Sequence, residues 1–293
     1  MKTVTIVGVG KAGGALAIAL SRAGYSIEKL AHRSSDLARK IRRKEIPTAT
    51  LARWPIVGAV SSNILIIAVP DPEITTVSHA LEGILGRGQT VLHTSGSLTS
   101  GELSNLADLG CETGSIHPLV SISDPFVGAD QFQNAYFCVE GSKKATGEAH
   151  RMVKAVRGRP FTINPTKKSL YHAAAVTSAG HVTALFDVAV EMLGKCGVTK
   201  KEAENILFPL LSSAVRNLER QSTEAALTGS FARLDIAAFE RHVSSFGPLP
   251  ASVRQIYFDL AERSLDIVER RDGPSDDLTA FRQRISVAKR NPK

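Results

Sequence analysis

From Lys2 to Val7 β-branched and polar positions alternate, a glycine cluster follows, and Ala12 to Ala23 form an apolar run that closes at Gly24. That order predicts a strand, a tight turn and a helix. Tyr25 to Ala31 predict a second strand and Ser35 to Lys44 a helix with Arg and Lys outward. A right-handed crossover then makes the two strands parallel. Ile46 to Thr50 have weak strand character, whereas Asn63 to Val69 are almost unbroken aliphatic sequence, the signature of a strand covered on both faces. Pro70, Asp71 and Pro72 stop it. A helix over Ile74 to Leu85, a strand over Thr90 to Thr94 and the loop Ser95-Gly96-Ser97 follow. Next come a helix over Leu98 to Leu109 and a strand over Gly114 to Ile116 that leads into His117-Pro118. Strands over Ala135 to Val139 and Phe161 to Ile163, with a helix near Ala145 to Val156 between them, complete the alternating half.

Beyond Pro165 the alternation stops. Only helical periodicity remains, in segments beginning near Lys167, Lys200, Ser222, Asp235 and Ser252. The fold class expected is therefore an α/β Rossmann domain with a mostly parallel sheet, residues 1–164, followed by an all-α domain, residues 165–293. Proline is well placed to open the first helix of that second domain. In the Lys167 to Lys195 segment Thr183, Asp187 and Glu191 form one narrow polar stripe on an otherwise apolar helix, which predicts a helix running through the centre of the domain.

Composition adds the class. With 43% apolar and 22% charged residues in 293, the chain reads as a globular protein with a substantial core. No apolar run is read as approaching the roughly 20 residues of a bilayer span, and the N-terminus lacks the features of a signal peptide. Cys111, Cys138 and Cys196 are odd in number and form no Cys-x-x-Cys pair, which predicts inert packed thiols and a reducing, cytoplasmic setting. The net charge of +8 gathers in Arg39, Lys40, Arg42, Arg43 and Lys44 and again in Arg282, Arg284, Lys289, Arg290 and Lys293. No aromatic residues interleave with either cluster, so a solvated helix face and a frayed basic tail are expected rather than a nucleic-acid partner. No membrane partner and no metal site are expected.

Gly8, Gly10 and Gly13 stand in Gly-x-Gly-x-x-Gly spacing between a strand and a helix. The first glycine permits the tight turn, the second lets backbone approach a pyrophosphate, and the third allows close helix packing. Lys11 and Ala12 open the helix whose free N–H groups would receive the phosphates. Past the second strand, where an NAD site offers a carboxylate, the chain offers His32, Arg33, Ser34 and Ser35. A guanidinium and hydroxyls suit a 2′-phosphate, so NADP is the cofactor expected. Ligands of an open α/β sheet bind beyond the carboxyl ends of the strands, where Val69-Pro70-Asp71, Ser95-Gly96 and His117-Pro118 fall. His117 could donate a proton to a substrate oxygen or simply bond a carbonyl, and Ser95 could contact nicotinamide or serve the turn. Lys168 and His172, four apart on one helix face, could protonate a carbonyl oxygen as hydride reaches its carbon. A surface lysine and a buried, satisfied histidine are the alternatives.

These motifs, with Lys168-x-x-Tyr171-His172-Ala173-Ala174, Leu227-Thr228-Gly229, Ala232-Arg233 and Asp235, resemble a family of Rossmann proteins whose helical C-terminal domain is known as domain of unknown function 2520. The resemblance covers nearly the whole chain and implies membership of the 6-phosphogluconate-dehydrogenase-like superfamily. It implies NADP-linked reduction of a small oxo acid or imine, often by a homodimer formed through the helical domain. It also implies a catalytic lysine at the position of Lys168, and a link to ketopantoate reduction. Gly180, Ser230 and Leu234 depart from the family's usual asparagine, proline and glycine. The function expected is an NADP-dependent oxidoreductase acting on a small carbonyl or imine, and the alternative is an NADP-binding redox sensor without turnover.

Overall fold

The computed structural model describes residues 2–290, so Lys293 of the basic tail lies outside the described residues. By contact the chain divides into two units, Met1–Ala179 and Gly180–Lys293.

The first unit alternates strands and helices: β1 (Thr3–Val7), α1 (Lys11–Arg22), β2 (Ser26–His32), α2 (Ser35–Glu45), β3 (Thr50–Arg53), β4 (Ile64–Ile67) and α3 (Ile74–Ala80). It continues through β5 (Thr90–His93), α4 (Ser104–Asp108), β6 (Glu112–Pro118), α5 (Pro125–Gln131), β7 (Tyr136–Gly141), α6 (Lys143–Ala155), β8 (Arg159–Phe161) and α7 (Lys168–Ser178). The eight strands form one sheet in the order β3-β2-β1-β4-β5-β6-β7-β8, parallel except for the β6–β7 pair. The mostly parallel Rossmann sheet expected from the sequence is therefore present.

Side-chain alternation along β4 explains its unbroken aliphatic sequence. Ile64 and Ile66 enter the core beneath α1, α5 and α6, while Leu65 and Ile67 enter the opposite core beneath α3 and α4. Both faces are covered, so no polar residue is tolerated. Strand order reverses between β1 and β4, which opens a crevice at their carboxyl ends beside Gly8 and Val69.

Several elements are shorter than the periodicity suggested. The helix expected over Ile74 to Leu85 ends at Ala80, and that over Leu98 to Leu109 is a 3₁₀ turn, Ser100–Leu103, followed by the single turn of α4. Glycine and serine at Gly83, Gly86, Ser97, Ser100 and Gly101 disfavour continuous helix there. β3 forms over Thr50–Arg53 by pairing with β2, although Ile46 to Thr50 carried the sequence signal.

The second unit contains α8 (Gly180–Gly194), α9 (Lys200–Arg220), α10 (Thr223–Ala226), α11 (Gly229–Ala232), α12 (Ile236–Ser244), α13 (Ala251–Asp272) and α14 (Asp276–Arg290). Its core is an aromatic cluster of Phe231, Phe239, Phe246, Tyr257, Phe258 and Phe281. As far as Arg290 the basic tail is helical rather than frayed. α14 buries Leu278, Phe281 and Ile285, and Arg282 pairs with Asp266 and Glu269 while Lys289 pairs with Asp259 and Glu262.

Three further expectations are corrected. The helix expected from Lys167 to Lys195 breaks at Ala179, and α7 belongs to the first unit. Nor does it run through a core: Val190 is the buried residue of α8. The stretch Pro165–Gly194 is in fact long and apolar enough to cross a membrane by length and composition, with a mean hydropathy of 1.4 and only 6% of that window buried. Cys111 and Cys138 are packed thiols, but Cys196 is exposed.

Candidate active site

The glycine loop is built as the spacing demands. Gly8 has φ +95°, and a Cβ there would sit 2.4 Å from the Ala68 carbonyl oxygen. A Cβ on Gly13 would lie 2.0 Å from the Gly8 oxygen, so α1 can approach β1 only with hydrogen at that position. Gly10 differs: its missing Cβ faces no heavy atom within 4 Å. It is also the N-cap of α1 and supplies no side-chain cap. The leading N–H groups of α1 therefore face open space with the positive end of the helix dipole behind them, which is a cradle for a phosphate. Residues and cradle fit a dinucleotide pyrophosphate. Lys11 is exposed and Ala12 half-buried at the helix start, and neither side chain lines the crevice.

The crevice of about 320 Å³ continues from Gly8 and Gly10 past His32, Arg33 and Ser34, with Trp54, Val69 and Pro70 as its apolar wall. Arg33 is exposed and forms an ion pair at 2.8 Å with Glu73, another lining residue. Ser34 caps α2 without a side-chain bond, which leaves its hydroxyl uncommitted. Burial, with Arg39 and Arg53 nearby, holds His32 below the usual imidazole range, so it adds no charge at neutral pH.

At the end of β5 the candidates turn inward on one another. The Ser95 hydroxyl donates to Asp71 Oδ2 at 2.8 Å and accepts from the Leu98 and Ser97 N–H groups at 3.0 and 3.2 Å. Ser97 donates to the same Asp71 oxygen at 2.7 Å. Ser95 and Asp71 thus brace the loop, with the Ser95 hydroxyl and Asp71 Oδ2 already used. His93, wholly buried, accepts from the Ser95 N–H at Nδ1 and faces the Thr99 carbonyl with Nε2 at 3.0 Å, which identifies the neutral Nε2–H tautomer. Burial, helped by Lys168, pushes its pKa down to about 4.

Lys168 is neither a surface residue nor exposed to a cleft. At 1% exposure its ammonium donates to Glu140 Oε1 at 2.9 Å and to the Ser115 hydroxyl. The Glu140 carboxylate also accepts from the Ser100 N–H at 2.9 Å and the Ser100 hydroxyl at 2.8 Å. Burial works to raise the Glu140 pKa, but Lys168 and these hydroxyls outweigh it and hold the carboxyl below its usual range. Burial pushes the Lys168 ammonium down, with Glu140 opposing. The first turn of α7 is thereby pinned to β6 and β7, which is why α7 stays with the sheet.

His117 and His172 do come together. Their rings meet edge to face at 5.6 Å, and both abut Gly96, where a Cβ would lie 2.4 Å from His172 Cδ2 and 2.7 Å from His117 Nε2. Only glycine fits beneath the pair. Burial first, then His172 and Lys168, brings the His117 pKa down to about 4. Sequence reasoning missed Glu140 and Ser115, and offered Tyr171 only as part of the family motif. Glu140 left a signal, a carboxylate inside the apolar strand Phe137-Cys138-Val139, which demands a buried partner.

Comparison with known proteins agrees with this architecture. A Rossmann-like domain model matches residues 1–118, and the model of a domain of unknown function (DUF2520) matches residues 135–264. The two models follow one another along the chain, the first within the sheet domain and the second from its last strands into the helical region. No curated protein matches. Among solved structures the chain is similar to protein TM1727 from Thermotoga maritima, with 22% identity over 92% of this chain and 99% of that one and a TM-score of 0.70. It is similar to BF3122 from Bacteroides fragilis, named as a candidate NADP oxidoreductase, with 19% identity over 92% and 98% and a TM-score of 0.72. An imine reductase from a Pseudomonas species matches with 20% identity over 99% and 94% and a TM-score of 0.56. At these identities the likeness establishes the fold.

Proposed function

We propose that the protein is an NADP(H)-dependent reductase of a small carbonyl or imine compound, a 2-oxo acid or cyclic imine being the substrate class favoured. The observation that carries the reading is the vacant space over Gly10 at the N-terminus of α1, continuous with Arg33 and Ser34. The α1 N–H groups would hold the pyrophosphate, and Arg33 with Ser34 the 2′-phosphate, where a carboxylate would repel it. The oxidoreductase name of the Bacteroides protein and the imine reductase likeness support the same class. When bound, the nicotinamide supplies hydride to the carbon of the double bond. His117, whose Nε2 lies beside Gly96 at the end of β5, then serves the electronegative atom, with His172 packed against it. Lys168, occupied by Glu140 and Ser115, positions α7 and thereby His172.

The same reading includes a homodimer. Ile206 and Leu210, four apart on one face of α9, are 57% and 68% exposed, an apolar surface that a second copy would cover. Light scattering that returned the mass of one chain would overturn this, and recovery with membranes would assign the apolar surface to a bilayer instead.

Titration of nicotinamide fluorescence tests the cofactor: NADPH binding at least about tenfold more tightly than NADH is expected, from one charge-assisted contact to the 2′-phosphate. Equal binding, or none, would overturn it. NADPH oxidation screened against 2-oxo acids and cyclic imines tests turnover, with His117→Asn as control. Binding without oxidation of NADPH by any of them would make the protein a sensor of NADP redox state.

A further inference from the structure

His117 Nδ1 lies 2.7 Å from the Tyr171 hydroxyl. Tyr171 is itself fixed, with its ring edge to face against Phe161 at 5.9 Å and against His117 at 5.7 Å, and with its hydroxyl beside the Cys138 thiol. All of these residues lie in the first unit. Burial raises the Tyr171 pKa far above the physiological range, so the phenol keeps its proton. One proton therefore lies between a phenol oxygen and an imidazole nitrogen, and two arrangements are open to it.

In one, Tyr171 donates to His117 Nδ1 while its oxygen accepts from the Cys138 S–H. In the other, Nδ1–H donates to the phenol and the phenol donates to sulfur. The two differ in which group receives the strong O–H donor, and neutral imidazole nitrogen is a far better acceptor than sulfur. The first arrangement is favoured, and it places the second ring proton on Nε2. That atom carries no hydrogen bond among the described residues and lies against Gly96, where a Cβ would come within 2.7 Å of it.

We infer that Tyr171 is a positioning residue that holds His117 as the neutral Nε2–H tautomer, presenting that N–H as the hydrogen-bond donor to the oxygen or nitrogen of the double bond being reduced. Its substrate role rests on the reductase reading; the tautomer does not. The neutral ring polarises the double bond without bringing a full positive charge into the site, and the proton finally gained by the product comes from solvent. His172, in edge contact with His117, packs on the other side of Gly96.

The test is ¹⁵N NMR of histidine-labelled protein at pH 7, with His117→Asn to assign the His117 signals. Wild type should show a pyridine-like Nδ1 and a pyrrole-like Nε2, with the Nε2–H form in at least about tenfold excess, the scale of one net hydrogen bond. In Tyr171→Phe, which removes only the hydroxyl, the two nitrogens should move to averaged shifts from mixed tautomers. A protonated Nδ1 in wild type overturns the inference, and this spectrum suffices even if the variant fails to fold. Unchanged His117 shifts in a folded Tyr171→Phe also overturn it. Failure of NADPH to bind or be oxidised would remove the reductase reading and leave the tautomer result standing.

Discussion

Replacing Lys168 by methionine keeps the aliphatic stem and removes the charge, and the structure assigns the loss to stability. At 2.9 Å the pair attracts by about 6 kcal/mol at an effective dielectric of 20. That figure is gross, because both groups also surrendered water on burial. Removing one partner leaves Glu140, 5% exposed, uncompensated except for Ser100 and Ser115, and the expected net cost is about 3–5 kcal/mol. For a unit of this size that lowers the melting temperature by about 6–20 °C. The carboxyl can relieve itself by taking a proton. In Lys168→Met its folded pKa rises above the unfolded value, so the variant recovers toward wild type as pH falls below that folded pKa and is weakest above it. The double variant Lys168→Met/Glu140→Gln removes both charges and should regain most of the loss, since neutral replacement of a buried pair is often nearly neutral. Urea and thermal unfolding from pH 5 to 8 measure all three proteins. A single variant within about 1 kcal/mol of wild type, the scale of an exposed pair, would refute the reasoning. Lost NADPH oxidation at unchanged stability would restore the lysine as the acid that the family resemblance implied.

The glycine loop predicts opposite outcomes at neighbouring positions. Gly13→Ala forces a Cβ to 2.0 Å from the Gly8 oxygen and should destabilise by at least about 2 kcal/mol, as overpacking does, whereas Gly10→Ala meets nothing and should melt within about 1 kcal/mol of wild type while losing NADPH by fluorescence titration. Retained NADPH affinity in Gly10→Ala would remove the phosphate from α1. Glu73→Gln frees Arg33 from its ion pair and should tighten NADPH up to about fivefold with NADH unchanged, the range of an exposed pair, and tightening of both cofactors alike would refute the assignment of Arg33 to the 2′-phosphate. His93 and His117 have folded pKa values near 4, below the ordinary imidazole value, so the unfolded chain gains protons that the native one refuses. Stability should then fall as pH drops from about 6.5 toward 4, at up to about 1.4 kcal/mol per pH unit for each histidine, and level below that window. Chemical unfolding at stepped pH checks it, and His117→Asn should remove about half of the slope contributed by the pair.

What could be read from the chain was what local spacing encodes. The Gly8, Gly10 and Gly13 turn, the covered strand β4 and the strand ends at Pro70, Ser95 and His117 all follow from neighbours in sequence, because a parallel strand and its following loop are built from consecutive residues. Contacts of long separation were not readable in that way. Lys168 reaches Glu140 and Ser115, and Glu140 reaches Ser100, across chain intervals with no periodicity. Spacing placed Lys168 and His172 on one face of a helix, yet the lysine is drawn into the sheet while the histidine stays against His117 and Gly96. Four residues on a helix specify a shared face, not a shared fate.

The apolar α7–α8 stretch failed for a different reason. Apolar periodicity reports that a face wants cover, and it is silent about whether that cover is the chain's own core, a second chain or lipid, so a largely unburied helix was read as a core helix. Glu140 is the instructive exception, because a carboxylate that follows Phe137-Cys138-Val139 in one strand must be paired if the strand is buried. Lys168 opens the helix that follows the last strand of the sheet. A buried carboxylate in that strand demands a cation, which makes Lys168 a structural partner rather than an acid and leaves the donor role to His117, whose Nε2 carries no hydrogen bond among the described residues.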